Sequence, residues 1–335
     1  MEDSVLSRLK YVTRLKLSKI FNRSFLPPIE VLFTLTNRCN LRCIMCNFHN
    51  FPMDIADELS TKNVTSMIAQ IADLRIKNVV LSGGEPLLRE DLFEIIHYAF
   101  SLGIDTTLLT NGTIMNEAII NKINSSGLNS ICLSIDGLEE KHDYIRGEGA
   151  FKKSMYFIKM VSERCPSVSL NITTTIMDCN LEDIPRLLQL WEKMKIKIKV
   201  SFQPVIPDNT DWNIKEKGNS LWVPEHRLAL LDKIIDETVA FKKKNDIIAN
   251  DYYFLELIKH YFKEDLHKMK RKAHCYEGFK RFTITAGGRI WICGTEMKSS
   301  IIEKGLKRCW NSPEVRKKRQ QMLKCKKLCL QACSF

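Results

Sequence analysis

Hydrophobic and polar residues follow two alternating periods along the chain. Short apolar runs typical of buried strands lie at 31–36, 78–82, 105–110, 129–135, 168–176 and 196–203. Between them, apolar residues recur at helical spacing at 61–73, 90–102, 114–126, 151–163 and 183–193. Because short strands that alternate with amphipathic helices are typical of parallel βαβ units, the pattern predicts an α/β fold. Successive βα repeats of this kind favour a partial or complete barrel, whose chemistry lies where strands end and loops begin.

Outside this region the pattern changes. Residues 5–22 place apolar residues against Lys and Arg at helical spacing. This pattern predicts an amphipathic helix that packs on the body of the protein or touches a membrane surface or a partner. Beyond residue 205 we expect a loop at 206–222, helices at 225–245, 251–264 and 312–323, and a hairpin at 282–293. The expected domains are an N-terminal helix at 1–27, a core at 28–224 and a C-terminal domain at 225–335.

The composition and net charge favour some cellular locations and partners over others. Its 335 residues are 44% hydrophobic and 27% charged, which is ordinary for a soluble globular protein. No apolar run reaches the roughly 18–20 residues that cross a bilayer, and residues 1–24 lack the apolar segment of a secretory signal. We therefore expect a cytoplasmic protein without a transmembrane segment. The net charge of +12 favours acidic partners. Without an aromatic-interleaved basic motif, we expect no nucleic-acid binding.

The 12 cysteines are unevenly distributed. In a reducing compartment, clustered cysteines indicate metal binding or catalysis rather than disulfides. One cluster is Cys39, Cys43 and Cys46, and the other is Cys275, Cys293, Cys325, Cys329 and Cys333. The scattered residues are predicted to be small buried core side chains: Cys132, Cys165, Cys179 and Cys309.

The first cluster directly follows the first predicted strand. Three thiolates close together on a loop can hold a soft metal centre. Zinc normally takes four ligands, and only a single histidine, His49, lies nearby. An iron–sulfur cubane held by three thiolates instead leaves one iron open to a cosubstrate.

The spacing of Cys39, Cys43 and Cys46 resembles that of the radical S-adenosylmethionine (radical SAM) superfamily, although Met45 replaces an aromatic residue often found there. The resemblance continues in the motifs SGGEP at 82–86, TNG at 110–112, LSIDG at 133–137 and HDYIRG at 142–147. It implies a partial (β/α)6 TIM-like barrel and a 4Fe-4S cluster on the cysteine triad. In this family the open iron chelates S-adenosylmethionine, whose reductive cleavage yields a 5′-deoxyadenosyl radical that abstracts hydrogen from a substrate.

The same resemblance implies which residues bind the cofactor. They are Gly83, Gly84, Glu85, Pro86, Asn111, Ser134 and Arg146. Glu85 would accept hydrogen bonds from the ammonium group of S-adenosylmethionine, and Arg146 would reach its carboxylate. The resemblance further implies an electron donor such as flavodoxin or ferredoxin.

The C-terminal cysteines and the segment CWNSPEVR at 309–316 resemble the auxiliary-cluster domains called SPASM and twitch. Five cysteines imply one auxiliary 4Fe-4S cluster with one spare residue, and the spare residue among Cys325, Cys329 and Cys333 stays open. A helix would place these three on one face. A structural zinc site is the alternative.

The substrate is not specified by any motif. The resemblance implies an oxidoreductase-type enzyme that dehydrogenates or epimerises a sugar, an alcohol or a phosphorylated metabolite. One alternative is a peptide-modifying maturase that forms a thioether crosslink or oxidises a residue. A second alternative, from another class, is a non-catalytic zinc or redox-sensing cysteine module.

Overall fold

The computed structural model describes residues 12–48, 58–206, 220–265, 278–325 and 330. Its strands are β1 (Glu30–Thr36), β2 (Asn78–Gly83), β3 (Asp105–Thr110), β4 (Ser130–Ser134), β5 (Ser169–Ile176), β6 (Ile198–Pro204), β7 (Arg281–Ile284), β8 (Arg289–Ile292) and β9 (Thr295–Ser300). Its helices are α1 (12–20), α2 (Thr61–Asp73), α3 (Leu92–Ser101), α4 (Glu117–Ser125), α5 (Glu139–Arg146), α6 (Ala150–Arg164), α7 (Asp183–Met194), α8 (Leu228–Lys244), α9 (Tyr252–Phe262), α10 (Ile301–Lys304), α11 (Leu306–Trp310) and α12 (Pro313–Leu323).

The strands form one sheet in the order β6-β5-β4-β3-β2-β1-β7-β8-β9. Strands β1 to β6 are parallel to one another, and helices connect each strand to the next. Because β6 and β9 are the two ends of the sheet, the barrel is open. The prediction of an α/β fold with a partial parallel barrel is confirmed.

The core lies between the parallel sheet and its helices. On β1, the side chains of Val31, Phe33 and Leu35 are almost fully buried. On α2, the buried side chains recur at helical spacing: Val64, Met67, Ile68 and Ile71. Ser60 caps this helix by accepting a hydrogen bond from the Asn63 amide. Each such buried aliphatic side chain contributes about 1.5–3 kcal/mol, which anchors the strand ends that carry the chemistry.

The predicted hairpin is present as β7 and β8, which pair antiparallel around a turn at Gly288. Its position in the fold was not expected. Strand β7 lies parallel beside β1, with Glu30 opposite Arg281, so the C-terminal segment extends the barrel sheet. The sheet thus runs on across the predicted boundary at 224, and that division into domains stays a prediction.

The sequence patterns did not predict every helix and strand of the structure. Helix α5 is missing from the predicted elements because its sequence EEKHDYIR is mostly charged and has no apolar stripe. Strand β9 and the short helices α10 and α11 were also missed. The predicted helices at 225–245 and 251–264 are confirmed as α8 and α9. Most of the expected loop at 206–222, and residues 5–11 of the expected N-terminal helix, lie outside the described residues.

None of the described helices combines the length and apolarity that crossing a bilayer requires. A cytoplasmic location stays a prediction.

Candidate active site

The three N-terminal cysteines follow the carboxyl end of β1. Cys43 is buried, and Cys39 and Cys46 are half-buried. Backbone hydrogen bonds shape their loop, because the Cys46 amide donates to the Cys43 carbonyl at 3.1 Å and the Ile44 amide donates to the Ile145 carbonyl at 2.9 Å. The second bond fastens the loop to the end of α5, so the triad lies where β1 and α5 meet.

The glycine pair of the SGGEP motif joins the end of β2 to this loop. The Gly84 amide donates to the Thr36 carbonyl at 2.8 Å, and the Glu85 amide donates to the Arg38 carbonyl at 2.8 Å. A Cβ atom on Gly83 would lie 2.1 Å from the Thr36 oxygen, and one on Gly84 would lie 2.2 Å from the Arg38 oxygen. Both glycines therefore permit close backbone contact between two strand ends, in addition to any approach to a cofactor.

Glu85 is fully buried and links the ends of β2 and β3. One carboxylate oxygen accepts from the Thr110 hydroxyl at 2.9 Å and from the Leu87 amide at 3.1 Å. The other accepts from the Asn111 amide at 2.8 Å. Burial raises the pKa of Glu85 to about 7, against these hydrogen bonds. An ammonium group beside Glu85 would favour its charged form, which is consistent with the predicted cofactor contact.

Asn111 connects the end of β3 to the cysteine loop. Its side-chain Nδ2 atom donates to the Asn40 side-chain oxygen at 2.9 Å, and the Asn40 Nδ2 atom donates to the Thr113 hydroxyl at 2.8 Å. Asn40 and Thr113 were not singled out from the sequence. Of the other predicted cofactor residues, Pro86 begins a short 3₁₀ turn after Glu85, and Ser134 is half-buried at the end of β4.

Arg146 lies at the end of α5, between Asp136 and Cys43. Its Nε and Nη2 atoms each lie 2.6 Å from the Asp136 carboxylate, and its Nη1 atom lies 3.9 Å from the Cys43 sulfur. Asp136 is itself fully buried and accepts a hydrogen bond from the Thr175 amide. The structure thus brings a positioned guanidinium to the triad. A direct role of Arg146 with a cofactor carboxylate stays a prediction.

A group of charged residues behind the loop was missed by sequence reasoning. Arg38 pairs with Glu58 at 2.7 Å, and the buried Arg89 pairs with Asp91 at 2.7 Å. Arg89 also donates to the Leu35 carbonyl at 3.1 Å, at the end of β1. These contacts fix the start of the cysteine loop. No sequence signal could have linked them, because Glu58 and Arg89 belong to no motif.

The cysteine triad fits an iron–sulfur cluster in its donor chemistry. Burial raises the pKa of Cys43 to about 11, against the opposing effect of the Arg146 charge. A positively charged centre beside Cys43 would favour its thiolate form at neutral pH. Among the described residues, no three metal-binding side chains lie close enough to share a single ion. A cubane differs from a single ion in that each of its thiolates binds a different iron atom.

The second cysteine cluster is described only in part. Cys293 is half-buried in the two-residue turn between β8 and β9, and Cys325 is exposed just after α12 ends. Cys325 therefore does not belong to that helix. Cys275, Cys329 and Cys333 lie outside the described residues. The auxiliary cluster assigned to these five residues stays a prediction.

The scattered cysteines occupy the protein interior to different degrees. Cys165 and Cys309 are buried, as predicted for core residues, and Cys132 and Cys179 are half-buried. The Cys132 sulfur lies 3.0 Å from the Thr173 hydroxyl, and the Cys309 thiol donates to the Ser300 carbonyl at 3.4 Å.

The fold and the site together define an α/β protein with a cysteine triad at the carboxyl ends of parallel strands. The sequence model of the Radical SAM superfamily matches residues 33–216, which is more than half of the chain. The chain therefore belongs to the radical SAM superfamily.

Relatives of named function differ in how much of the chain they match. An AdoMet-dependent heme synthase from Methanosarcina barkeri is 27% identical over 308 residues, which cover 87% of this chain and 84% of that protein. A PqqA peptide cyclase from Rhizobium meliloti is 35% identical over 174 residues, 51% of this chain and 46% of that protein.

Solved structures share the fold. The enzyme anSMEcpe with bound AdoMet superposes with a TM-score of 0.69 at 18% identity, covering 89% of this chain and 84% of that chain. SuiB of Streptococcus suis, bound to S-adenosylmethionine, gives a TM-score of 0.68 at 16% identity, and the match covers 95% of this chain and 73% of that chain.

Proposed function

We propose that this chain cleaves S-adenosylmethionine reductively and abstracts a hydrogen atom from a second substrate. A 4Fe-4S cluster on Cys39, Cys43 and Cys46 would supply the electron for that cleavage, and a flavodoxin or ferredoxin would deliver it. The observation that carries the proposal is that Glu85, just after β2, and Arg146, at the end of α5, both lie beside the loop that holds the triad.

The chain's own residues provide an ordered site. Glu85 offers a buried acceptor held by three hydrogen bonds, which suits an ammonium group. Arg146 offers a permanent positive charge, held in place by Asp136. Together these groups would orient the charged end of S-adenosylmethionine beside the triad.

For the substrate we favour a peptide. The sugar or alcohol expected from the sequence gains no support from the relatives, which include PqqA peptide cyclases. The auxiliary cluster that we propose on the C-terminal cysteines would accept an electron from the substrate and so assist an oxidative modification such as crosslinking.

A carboxylate-bearing tetrapyrrole is the second candidate. The observation that favours it is coverage, because the similarity to the AdoMet-dependent heme synthase extends over 87% of this chain. The net charge of +12 also suits a substrate with several carboxylates.

Anaerobic turnover with dithionite tests the proposed chemistry. We expect the wild-type protein to bind iron and sulfide and to release 5′-deoxyadenosine. The Cys43→Ala variant should release none, because its cluster loses a ligand. The matched control is Cys132→Ala, whose half-buried sulfur contacts Thr173 and lies outside the triad. Full 5′-deoxyadenosine formation by Cys43→Ala would refute the triad assignment.

Product analysis by mass spectrometry then separates the two substrates. Incubation with precursor peptides encoded beside this gene, or with an iron porphyrin bearing propionate groups, should convert only one class. Loss of hydrogen from a peptide supports the first candidate, and loss of carbon dioxide from a porphyrin supports the second.

A further inference from the structure

Helix α1 packs against the protein through one side. Leu15 and Ser18 are buried, and the Ser18 hydroxyl accepts a hydrogen bond from the Phe25 amide at 3.0 Å. The Asn22 side chain donates to the Arg316 carbonyl on α12 at 3.0 Å. These contacts hold the helix, and the turn that follows it, in a defined orientation.

Several other side chains of this segment are apolar and exposed. Ile20, the last residue of α1, is 73% exposed, and Phe21, which follows it, is 64% exposed. The rings of Phe21 and Phe25 contact each other edge to face with centroids 5.9 Å apart. Val12 and Leu17 are also exposed. An apolar group of this kind on a surface marks an interaction site, because exposed clusters are costly in water.

Positive charge surrounds these apolar side chains. Arg14, Lys16 and Arg23 are exposed, and the sequence from 12 to 29 contains no acidic residue. No described carboxylate forms an ion pair with any of the three. These three residues therefore present positive charge on the surface of the segment, which suits a negatively charged partner.

We propose that this N-terminal face, made of Val12, Leu17, Ile20, Phe21 and Phe25 with Arg14, Lys16 and Arg23, docks on an anionic phospholipid surface. Strongly protruding apolar side chains can enter the acyl boundary of a bilayer, while the flanking cations meet the headgroup phosphates. The protein would lie on the membrane rather than span it, in keeping with the lack of a spanning helix among the described residues.

A lipid surface fits these features better than an acidic protein does. Side chains exposed by 64–73% project outward, and a protein partner would need a matching cavity for each of them. Lipid headgroups rearrange around such projections. An acidic redox protein is the competing partner.

Vesicle flotation with the full chain, cluster loaded, tests the proposal. We expect the protein to float with vesicles of equal parts phosphatidylcholine and phosphatidylglycerol but not with phosphatidylcholine alone. Ile20→Ser with Phe21→Ser should weaken binding about tenfold or more, because the inserted apolar area is lost. Arg14→Glu with Arg23→Glu should abolish it, and raised salt should weaken it in the wild type.

Matched controls come from α6, where Tyr156 is 52% exposed and Lys153 is exposed. Tyr156→Ser and Lys153→Glu should leave vesicle binding unchanged. Absence of wild-type binding to anionic vesicles would overturn the proposal. The proposal would also fail if the two α6 control variants lost vesicle binding as much as the N-terminal variants do. It would fail as well if the wild type bound flavodoxin but not vesicles, and if both N-terminal double variants lost that flavodoxin binding.

Discussion

At the scale of single residues, burial sets the charge of His142. This side chain on α5 is fully buried, and its Nδ1 atom accepts a hydrogen bond from the Asp136 amide at 3.2 Å. Its Nε2 atom has no hydrogen-bond partner among the described residues, and its ring packs on Phe151. Burial, together with the nearby charge of Arg146, lowers the pKa of His142 to about 4, against the carboxylates of Asp136 and Asp143. The ring is therefore neutral in the folded protein at neutral pH.

This pKa makes stability depend on pH. Since the folded pKa lies below the ordinary value of about 6.5, the unfolded chain takes up the proton first as the pH falls. The contribution of His142 to the free energy of unfolding is fully present above pH 6.5. It falls between pH 6.5 and pH 4 by up to about 1.4 kcal/mol per pH unit. We expect His142→Asn to flatten the pH dependence of the thermal unfolding midpoint in that range.

The control for this prediction is the exposed His97 on α3. His97→Asn should leave the wild-type pH dependence unchanged, because this exposed side chain lies outside the buried surroundings of His142. An unaltered slope in His142→Asn would show that other buried groups cause the acid sensitivity.

At the scale of elements, the turn between β8 and β9 is unusual. Ile292 pairs with Thr295, so that Cys293 and Gly294 form a two-residue hairpin turn with φ angles of 46° and 73°. Such turns favour Asn and Gly, because both central residues need a positive φ. A cysteine in this conformation is strained, and its presence is explained if its thiol binds a metal centre.

Replacing this cysteine should separate stability from metal content. In Cys293→Asn we expect the free energy of unfolding of the metal-free protein to rise by between zero and about 1 kcal/mol, because Asn tolerates the left-handed region. Iron content should fall by about half, from two clusters to one. Colorimetric iron analysis and urea denaturation measure the two effects.

Cys309→Ser is the matched control in the same part of the chain. Its parent thiol is buried against backbone carbonyls, so iron content should stay at the wild-type level. Full iron content in Cys293→Asn would remove Cys293 from the set of cluster ligands.

At the scale of the whole molecule, Arg319 ties the C-terminal segment to the sheet. This fully buried side chain donates to the Gly278 carbonyl at 2.5 Å and to the Trp310 carbonyl at 3.1 Å. Its guanidinium lies 4.1 Å from the centre of the Trp310 ring, which in turn packs on Phe282 of β7. Burial lowers its pKa to about 10, so the guanidinium still carries its charge at neutral pH.

Loss of this residue should loosen the C-terminal segment. Arg319→Ala leaves a cavity and two unpaired carbonyls, and we expect it to lower the free energy of unfolding by about 3 kcal/mol or more. Urea denaturation measures this change. Lys317→Ala, at an exposed position of the same helix, should stay within about 0.5 kcal/mol of the wild type. Equal stability of both variants would contradict the role given to Arg319.

The order of elements could be predicted because burial leaves a local trace in the sequence. Strands β1 to β6 are short and apolar, and most of the helices between them are amphipathic. Each of these elements can therefore be predicted from its own residues alone. Helix α5 left no such trace. The triad of Cys39, Cys43 and Cys46 was recognisable because its members lie within a single loop.

The amino-acid sequence alone thus determined the class of fold, the position of the cysteine triad and the motifs at the strand ends. Only the tertiary structure placed β7 beside β1, joined Arg89 to the end of β1, and brought Arg146 to Cys43 across 103 residues. The physical reason is the range of the interaction. Hydrophobic periodicity reports how each segment is buried, whereas strand order and distant polar pairs arise only when the packed segments meet.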